Sequence, residues 1–431
     1  MRKVCGSPFT ADGDQMKIHG RGRKEETFMQ DRSMRVFCVG NGCAAPCDST
    51  AFDRKEAEKV LRIHRMTPGY TKTPMVVLGD LARRGGVKAV LVKDESERFG
   101  LKAFKGLGGI CAMFRILCRE LGLDPAETTL DTLRSGPRAE QIKKMVFITT
   151  TDGNHGKGVS WAAGIFGCRA LVYMPRGSAE ARAQAIREAG NAEVEITGLR
   201  YDDCVVMTRE LAEKNGWYLI QDTSWEGYEQ VPLWIMQGYL TMVTEAADQL
   251  SALGFTAPTH LFLKAGVGSM AGAVAAAAVN RWPDRKPVIS VVEPETVACF
   301  YESFLRGDGK PHQAQGSCET IMAGLNCAVP CTLGWEQLRA HASCAFAVSD
   351  EVTRLGMRLL ARERVVSGES GAVTTGLTAF LLMTEEGRPL KEKLGINEES
   401  VILCLNTEGD TDPENYRAII TNGLADPLFM I

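Results

Sequence analysis

Thr149-Thr150-Thr151-Asp152-Gly153-Asn154-His155-Gly156-Lys157-Gly158 closes an apolar strand with a turn rich in Gly, Asn and Asp, a composition that brings polar groups to one point. Two further segments repeat the device. Ala103-Phe104-Lys105-Gly106-Leu107-Gly108-Gly109 follows the run Ala89-Val90-Leu91-Val92-Lys93, and Ala265-Gly266-Val267-Gly268-Ser269-Met270-Ala271-Gly272 follows His260-Leu261-Phe262-Leu263-Lys264. Ligands of open α/β sheets bind beyond the carboxyl ends of strands, so three such loops point to one shared site.

Outward from these loops the elements alternate as strand and helix. Apolar runs at 145–150, 169–174, 193–197 and 218–221 are separated by amphipathic stretches that include 179–189 and 202–215, the pattern of a parallel sheet. Upstream, a helix through 56–64 leads to Thr71-Lys72-Thr73-Pro74-Met75, where proline stops helical geometry. Downstream, Pro232 opens a long helix through 234–250, and a second strand series follows at Leu261, Val288, Ala345 and Val401. The expected fold is therefore α/β, with two three-layer domains built on largely parallel sheets. The smaller is expected at 99–229 and the larger at 36–98 plus 230–431, with the site in the cleft where they meet. Residues 1–35 hold Arg21, Arg23, Lys24, Glu25 and Glu26 without apolar periodicity, and read as a disordered lead.

Composition excludes several classes of function. A chain of 431 residues is long enough for two cores, and its net charge of −3 offers nucleic acid or an acidic membrane no attraction. No run approaches the roughly twenty apolar residues of a membrane span. The fourteen cysteines are scattered, as in a reducing compartment, and the early residues lack the apolar core of a secretory signal, so the cytoplasm is expected. Cys38, Cys43 and Cys47 lack a fourth ligand at zinc-site spacing, and His155 has no His or Cys at metal spacing, so no metal is expected. Cys299 and Cys327 fall after strands of the larger domain, and whether they pair is left open.

A lysine flanked by glycines, an Asp-Gly-Asn loop and a glycine-rich phosphate cradle together resemble the fold-type II pyridoxal-phosphate enzymes, the tryptophan synthase β-like family. The resemblance implies that Lys105 supplies the amine that forms a Schiff base with pyridoxal 5′-phosphate and that Phe104 packs on the cofactor ring. Most lysines are merely solvated, and Lys102, one helical turn away, is a second suspect. It also implies that Gly266, Val267, Gly268, Ser269 and Met270 bind the phosphate, through backbone N–H groups and the start of the alanine-rich helix that follows. The same glycines approximate a dinucleotide fingerprint, with Glu293 at a distance suited to a ribose, but one residue too many precedes the last glycine. By the family pattern Asn154 bonds the cofactor's phenolic oxygen, Thr407 faces the pyridine nitrogen, and Gly368-Glu369-Ser370-Gly371-Ala372 lies near the cofactor.

Within this fold the acid at Asp152 narrows the choice. Dehydratases and racemases that resemble this chain carry a small hydroxyl residue there, which in racemases is the acid/base opposite the lysine. Asp222, in Gln221-Asp222-Thr223-Ser224-Trp225, gives a second carboxylate, which could hold an extra ammonium group or simply cap a turn. These residues, with Lys93-Asp94-Glu95-Ser96, Arg98-Phe99-Gly100-Leu101, Trp234-Ile235-Met236-Gln237-Gly238-Tyr239 and Thr320-Ile321-Met322-Ala323-Gly324-Leu325, are similar to the diaminopropionate ammonia-lyase family over about residues 55–420. The resemblance implies α,β-elimination of 2,3-diaminopropionate, in both D and L forms, to pyruvate and ammonia. Lys105, Asp152 and Asp222 would be the catalytic residues, the partner a small amino acid, and the assembly a homodimer. The alternatives are a serine/threonine dehydratase-like lyase, for which two acids have no cation to recognise, and an NAD(P)-dependent dehydrogenase using the glycine loop.

Overall fold

Near-continuous apolar runs give strands buried on both faces, which is why they pair in parallel beneath helices. The computed structural model describes residues 16–19, 33–151 and 153–421, and among these the strands form two sheets. The strands are β1 (Met16–His19), β2 (Arg35–Gly40), β3 (Met75–Val77), β4 (Ala89–Asp94), β5 (Val146–Thr150), β6 (Arg169–Met174), β7 (Ala192–Ile196), β8 (Tyr218–Leu219), β9 (His260–Lys264), β10 (Val288–Pro294), β11 (Cys344–Val348) and β12 (Val401–Asn406). The larger sheet runs β1-β2-β11-β10-β9-β12-β4-β3 and the smaller β7-β6-β5-β8. The smaller sheet is wholly parallel. In the larger, β11-β10-β9-β12-β4 are parallel, while β1, β2 and β3 join at the edges antiparallel.

By its internal contacts the chain divides into two units. The first takes the described residues of Met1–Ser49, Thr73–Ser96 and Glu245–Ile431, and the second takes Thr50–Lys72 and Glu97–Thr244. The second unit thus extends beyond the 99–229 expected from the sequence. Helix Arg54–Met66 accounts for part of the difference: its buried His64 donates from Nε2 to Leu107 O at 3.0 Å and accepts at Nδ1 from the Thr241 hydroxyl at 2.6 Å. An amphipathic helix carries no label saying which core it covers.

Two other expectations are corrected. Most of the 1–35 lead lies outside the described residues, but Met16–His19 is strand, with Lys17 opposite Phe37 in the register. The alternation Met16-Lys17-Ile18-His19 is short enough to pass unnoticed in a charged segment. The long helix expected through 234–250 is two helices, Gln230–Gly238 and Leu240–Ala252. They part at Tyr239, whose buried ring packs 4.9 Å from that of Phe104. No helix among the described residues is long and apolar enough to cross a membrane.

Candidate active site

In the second unit, Lys105 stands immediately before helix Gly106–Glu120, which is buried along almost its whole length. Helix Asn154–Phe166 lies against it, and Gly158 is what permits the approach. A Cβ at Gly158 would sit 3.0 Å from the Gly106 nitrogen and from the Lys105 carbonyl carbon and oxygen. The spacing Asn154-His155-Gly156-Lys157-Gly158 therefore brings the asparagine turn beside the lysine, and the structure places both in this unit. Asp152 lies outside the described residues.

Asp222 joins them from 117 residues away. Its Oδ2 accepts a hydrogen bond from Lys105 Nζ, and His155 Nδ1 is 3.8 Å from the same oxygen. The segment before it is held by the sheet as far as Ile220, whose N donates to Ile148 O at 2.9 Å, and beyond that by side chains. The Tyr228 hydroxyl accepts from Gln221 N at 2.9 Å and donates to Leu219 O at 3.0 Å, while Gln221 Oε1 accepts from Thr150 N at 3.0 Å. Gln221 N is thus taken by a hydroxyl instead of a strand partner, and the strand expected to 221 ends short of it. His155 is buried and donates from Nε2 to Ile220 O at 2.7 Å. Burial holds it below the ordinary histidine range, so the neutral tautomer with its proton on Nε2 is favoured and Nδ1 has no hydrogen-bond partner among the described residues. Burial alone would raise the Asp222 carboxyl, but His155, once protonated in acid, and Lys105 overcome it and hold the group at about 2. Asp222 is thus neither a surface turn residue nor a helix cap, but a buried anion on a lysine.

That pairing has a consequence for acid stability. A carboxyl whose pKa falls on folding stabilises the fold above its unfolded pKa, near 4, and loses that contribution as pH drops through its folded value, near 2. In the ligand-free chain the unfolding free energy should fall between pH 4 and pH 2 by roughly 2 kcal/mol more in the wild type than in Asp222→Asn. Urea melts of both proteins across that window measure the difference, and parallel curves would deny the ion pair.

In the first unit, four loops at the carboxyl ends of the strands pack on one another. Residues 265–268 leave β9 and enter helix Ser269–Arg281, which begins on Gly268 without a side-chain cap. Gly268 has φ +90°, and a Cβ there would sit 2.2 Å from Phe300 Cζ, so only glycine fits. Val267 O accepts from Cys331 N at 2.7 Å, Gly324 N donates to Ser370 Oγ at 3.1 Å, and Ser370 N donates to Glu408 Oε1 at 2.9 Å. Thr407 is buried next to Glu408 at the end of β12. Cys299 and Cys327 are free thiols, both near Gly266. Glu293, which a dinucleotide reading would set on a ribose, is buried and accepts from Phe300 N at 2.9 Å and Tyr301 N at 2.8 Å. Both of its oxygens are engaged in starting helix Cys299–Arg306.

The chemistry of these groups suits pyridoxal phosphate. An uncapped helix start behind a glycine turn is a cradle for a phosphate dianion, with no cationic side chain needed. The second unit supplies a partly buried primary amine beside a carboxylate. Among the described residues no group of three or more His, Cys, Asp or Glu is placed to hold a metal ion.

Glycine-started helices at the ends of parallel strands, and in the second unit a partly buried lysine beside a carboxylate, fit a pyridoxal-phosphate enzyme, and the family model for pyridoxal-phosphate dependent enzymes matches residues 66–406. The diaminopropionate ammonia-lyase of Escherichia coli K12 is 44% identical over 380 residues, covering 87% of this chain and 94% of that protein. A solved structure of diaminopropionate ammonia lyase from Escherichia coli in complex with D-serine superposes with a TM-score of 0.84 at 41% identity, covering 91% of this chain and 98% of the other. A second structure, in complex with an aminoacrylate-PLP azomethine reaction intermediate, gives 0.83 at 42% identity with the same coverage. The chain belongs to the pyridoxal-phosphate-dependent enzyme family and, within it, to the diaminopropionate ammonia-lyases.

Proposed function

We propose that the chain eliminates ammonia from 2,3-diaminopropionate in a pyridoxal-phosphate-dependent reaction that ends in pyruvate and ammonia. The observation that carries this reading is the partly buried Lys105–Asp222 ion pair. Once the lysine nitrogen is bound to the cofactor, the carboxylate needs another cation, and the β-ammonium of diaminopropionate is one that serine and threonine lack.

When bound, pyridoxal phosphate supplies the electron sink that stabilises negative charge at the substrate α-carbon. Phe104 and Asn154 would hold its ring and phenolic oxygen, Gly266, Val267, Gly268, Ser269 and Met270 its phosphate, and the neutral hydroxyl of Thr407 its ring nitrogen. Lys105 would take the α-proton from one face, and Asp152 would take it from the other. Asp222 keeps the β-nitrogen protonated so that it leaves as ammonia rather than as an amide anion. The released 2-aminoacrylate hydrolyses in water to pyruvate and a second ammonia. Action on both D and L substrates, a homodimeric assembly and a cytoplasmic setting are parts of the same proposal.

Diaminopropionate should exceed serine and threonine in kcat/KM. Losing a charged hydrogen bond costs about 1.5–3 kcal/mol, so Asp222→Asn should lower kcat/KM for diaminopropionate roughly ten- to a hundredfold while affecting serine less. Steady-state kinetics in which serine equals diaminopropionate would favour a hydroxyl-eliminating dehydratase instead.

A further inference from the structure

The order of the larger sheet reverses at β9, whose neighbours are β10 on one side and β12 on the other. The two sides are not equally zipped. Pairing with β10 continues to Val292↔Lys264, whereas the register with β12 ends at Cys404↔Phe262. Leu263 and Lys264 therefore have no ladder partner in β12, and the carboxyl ends of β9 and β12 diverge just before the loops 265–268 and 407–410.

The Lys264 side chain fills that opening. It is 2% exposed, and Nζ donates to Leu405 O at the end of β12 and, at 2.6 Å, to Gly371 O in the first turn of helix Glu369–Met383. Burial pushes its ammonium down to about 7, opposed by the negative charge of Glu408 and by Cys404. Every residue of β9 is buried, so an apolar side chain would suit position 264 if packing alone were served. What the ammonium adds is two hydrogen bonds to two separate segments. One leads directly into Thr407, and the other carries Ser370, which accepts from Gly324 N in the neighbouring loop.

We infer that Lys264 is a positioning residue for the cofactor: it ties the strand end that launches the phosphate loop to the strand end that presents Thr407, fixing the spacing between the groups that hold phosphate and ring. The inference rests on the pyridoxal-phosphate reading of these loops. Its cause is geometric, because at a reversal of strand order the backbone ladder cannot bridge the crevice that admits the ligand. A long side chain with several donors can.

The test uses the full chain freed of cofactor and two probes. One is 4′-deoxypyridoxine 5′-phosphate, which lacks the aldehyde and cannot be captured by Lys105; the other is inorganic phosphate, which needs only the phosphate loop. In Lys264→Met, similar in length but without donors, binding of the deoxypyridoxine phosphate should weaken about ten- to a hundredfold, while inorganic phosphate changes far less. Unchanged affinity for both would make Lys264 purely structural, and equal losses would confine it to the phosphate loop; either overturns the inference. Failure of the wild type to bind the deoxypyridoxine phosphate would instead sink the cofactor reading itself. Should the variant not fold, hydrogen exchange of the wild type decides: inorganic phosphate should slow amides at 405–409 as well as at 266–271, and protection confined to 266–271 would overturn the tie.

Discussion

Lys105→Ala should lower pyruvate formation from diaminopropionate by roughly 10⁴-fold or more, the upper end of the loss expected when a general base is removed, because the covalent anchor of the cofactor goes with it. The fold should survive. What holds this position is main chain and apolar surface: the buried helix Gly106–Glu120, the close approach at Gly158, and the packing of Phe104 on Tyr239. Alanine keeps all of these. The variant should then bind pyridoxal phosphate only reversibly, so that dialysis removes it, whereas borohydride should fix the cofactor to the wild-type chain. Peptide mapping of the reduced wild type locates the lysine. A label on Lys102, which sits in the same loop with φ +54°, would transfer the role there.

The parts of this site that were legible in the sequence are those written in short stretches. Glycine-rich turns after apolar runs announce themselves, as after β5 at Gly153 and after β9 at Gly266. Lys105, Asn154 and the 266–270 loop stand out for that reason. The rest depends on pairs distant in the chain. Nothing near Asp222 says that its partner is Lys105, and nothing near His64 says that it bonds Leu107 and Thr241 and so draws helix Arg54–Met66 into the second unit. In the sequence Lys264 is only the last residue of a run before a glycine loop. Only the register, which shows where β9 and β12 part, makes it a buried bridge. Glu293 shows the reverse: the spacing suggests a ligand contact, and the fold gives the carboxylate two backbone N–H groups instead.

Asp152→Asn should separate the two enantiomers of the substrate. The α C–H bond must stand perpendicular to the plane of the conjugated system that receives its electrons, and with the carboxylate held in one place D and L substrates direct that bond to opposite faces. One base does not reach both. Lys105 is proposed to serve one face, and Asp152, two residues before Asn154, is proposed by its resemblance to the racemase acid/base position to serve the other. By that analogy Asp152 takes the proton of the D form and Lys105 that of the L form. Asparagine keeps the size and hydrogen-bonding capacity of the side chain but removes its basicity. The variant should therefore lose about 10²- to 10⁴-fold in kcat on D-diaminopropionate and much less on the L form. Asp222→Asn, by contrast, should penalise both enantiomers alike, because the β-ammonium it is proposed to hold is common to them. Equal losses on D and L in Asp152→Asn would mean that Asp152 shares the task of Asp222 in holding the leaving group, and the assignment of a base to each face would fail.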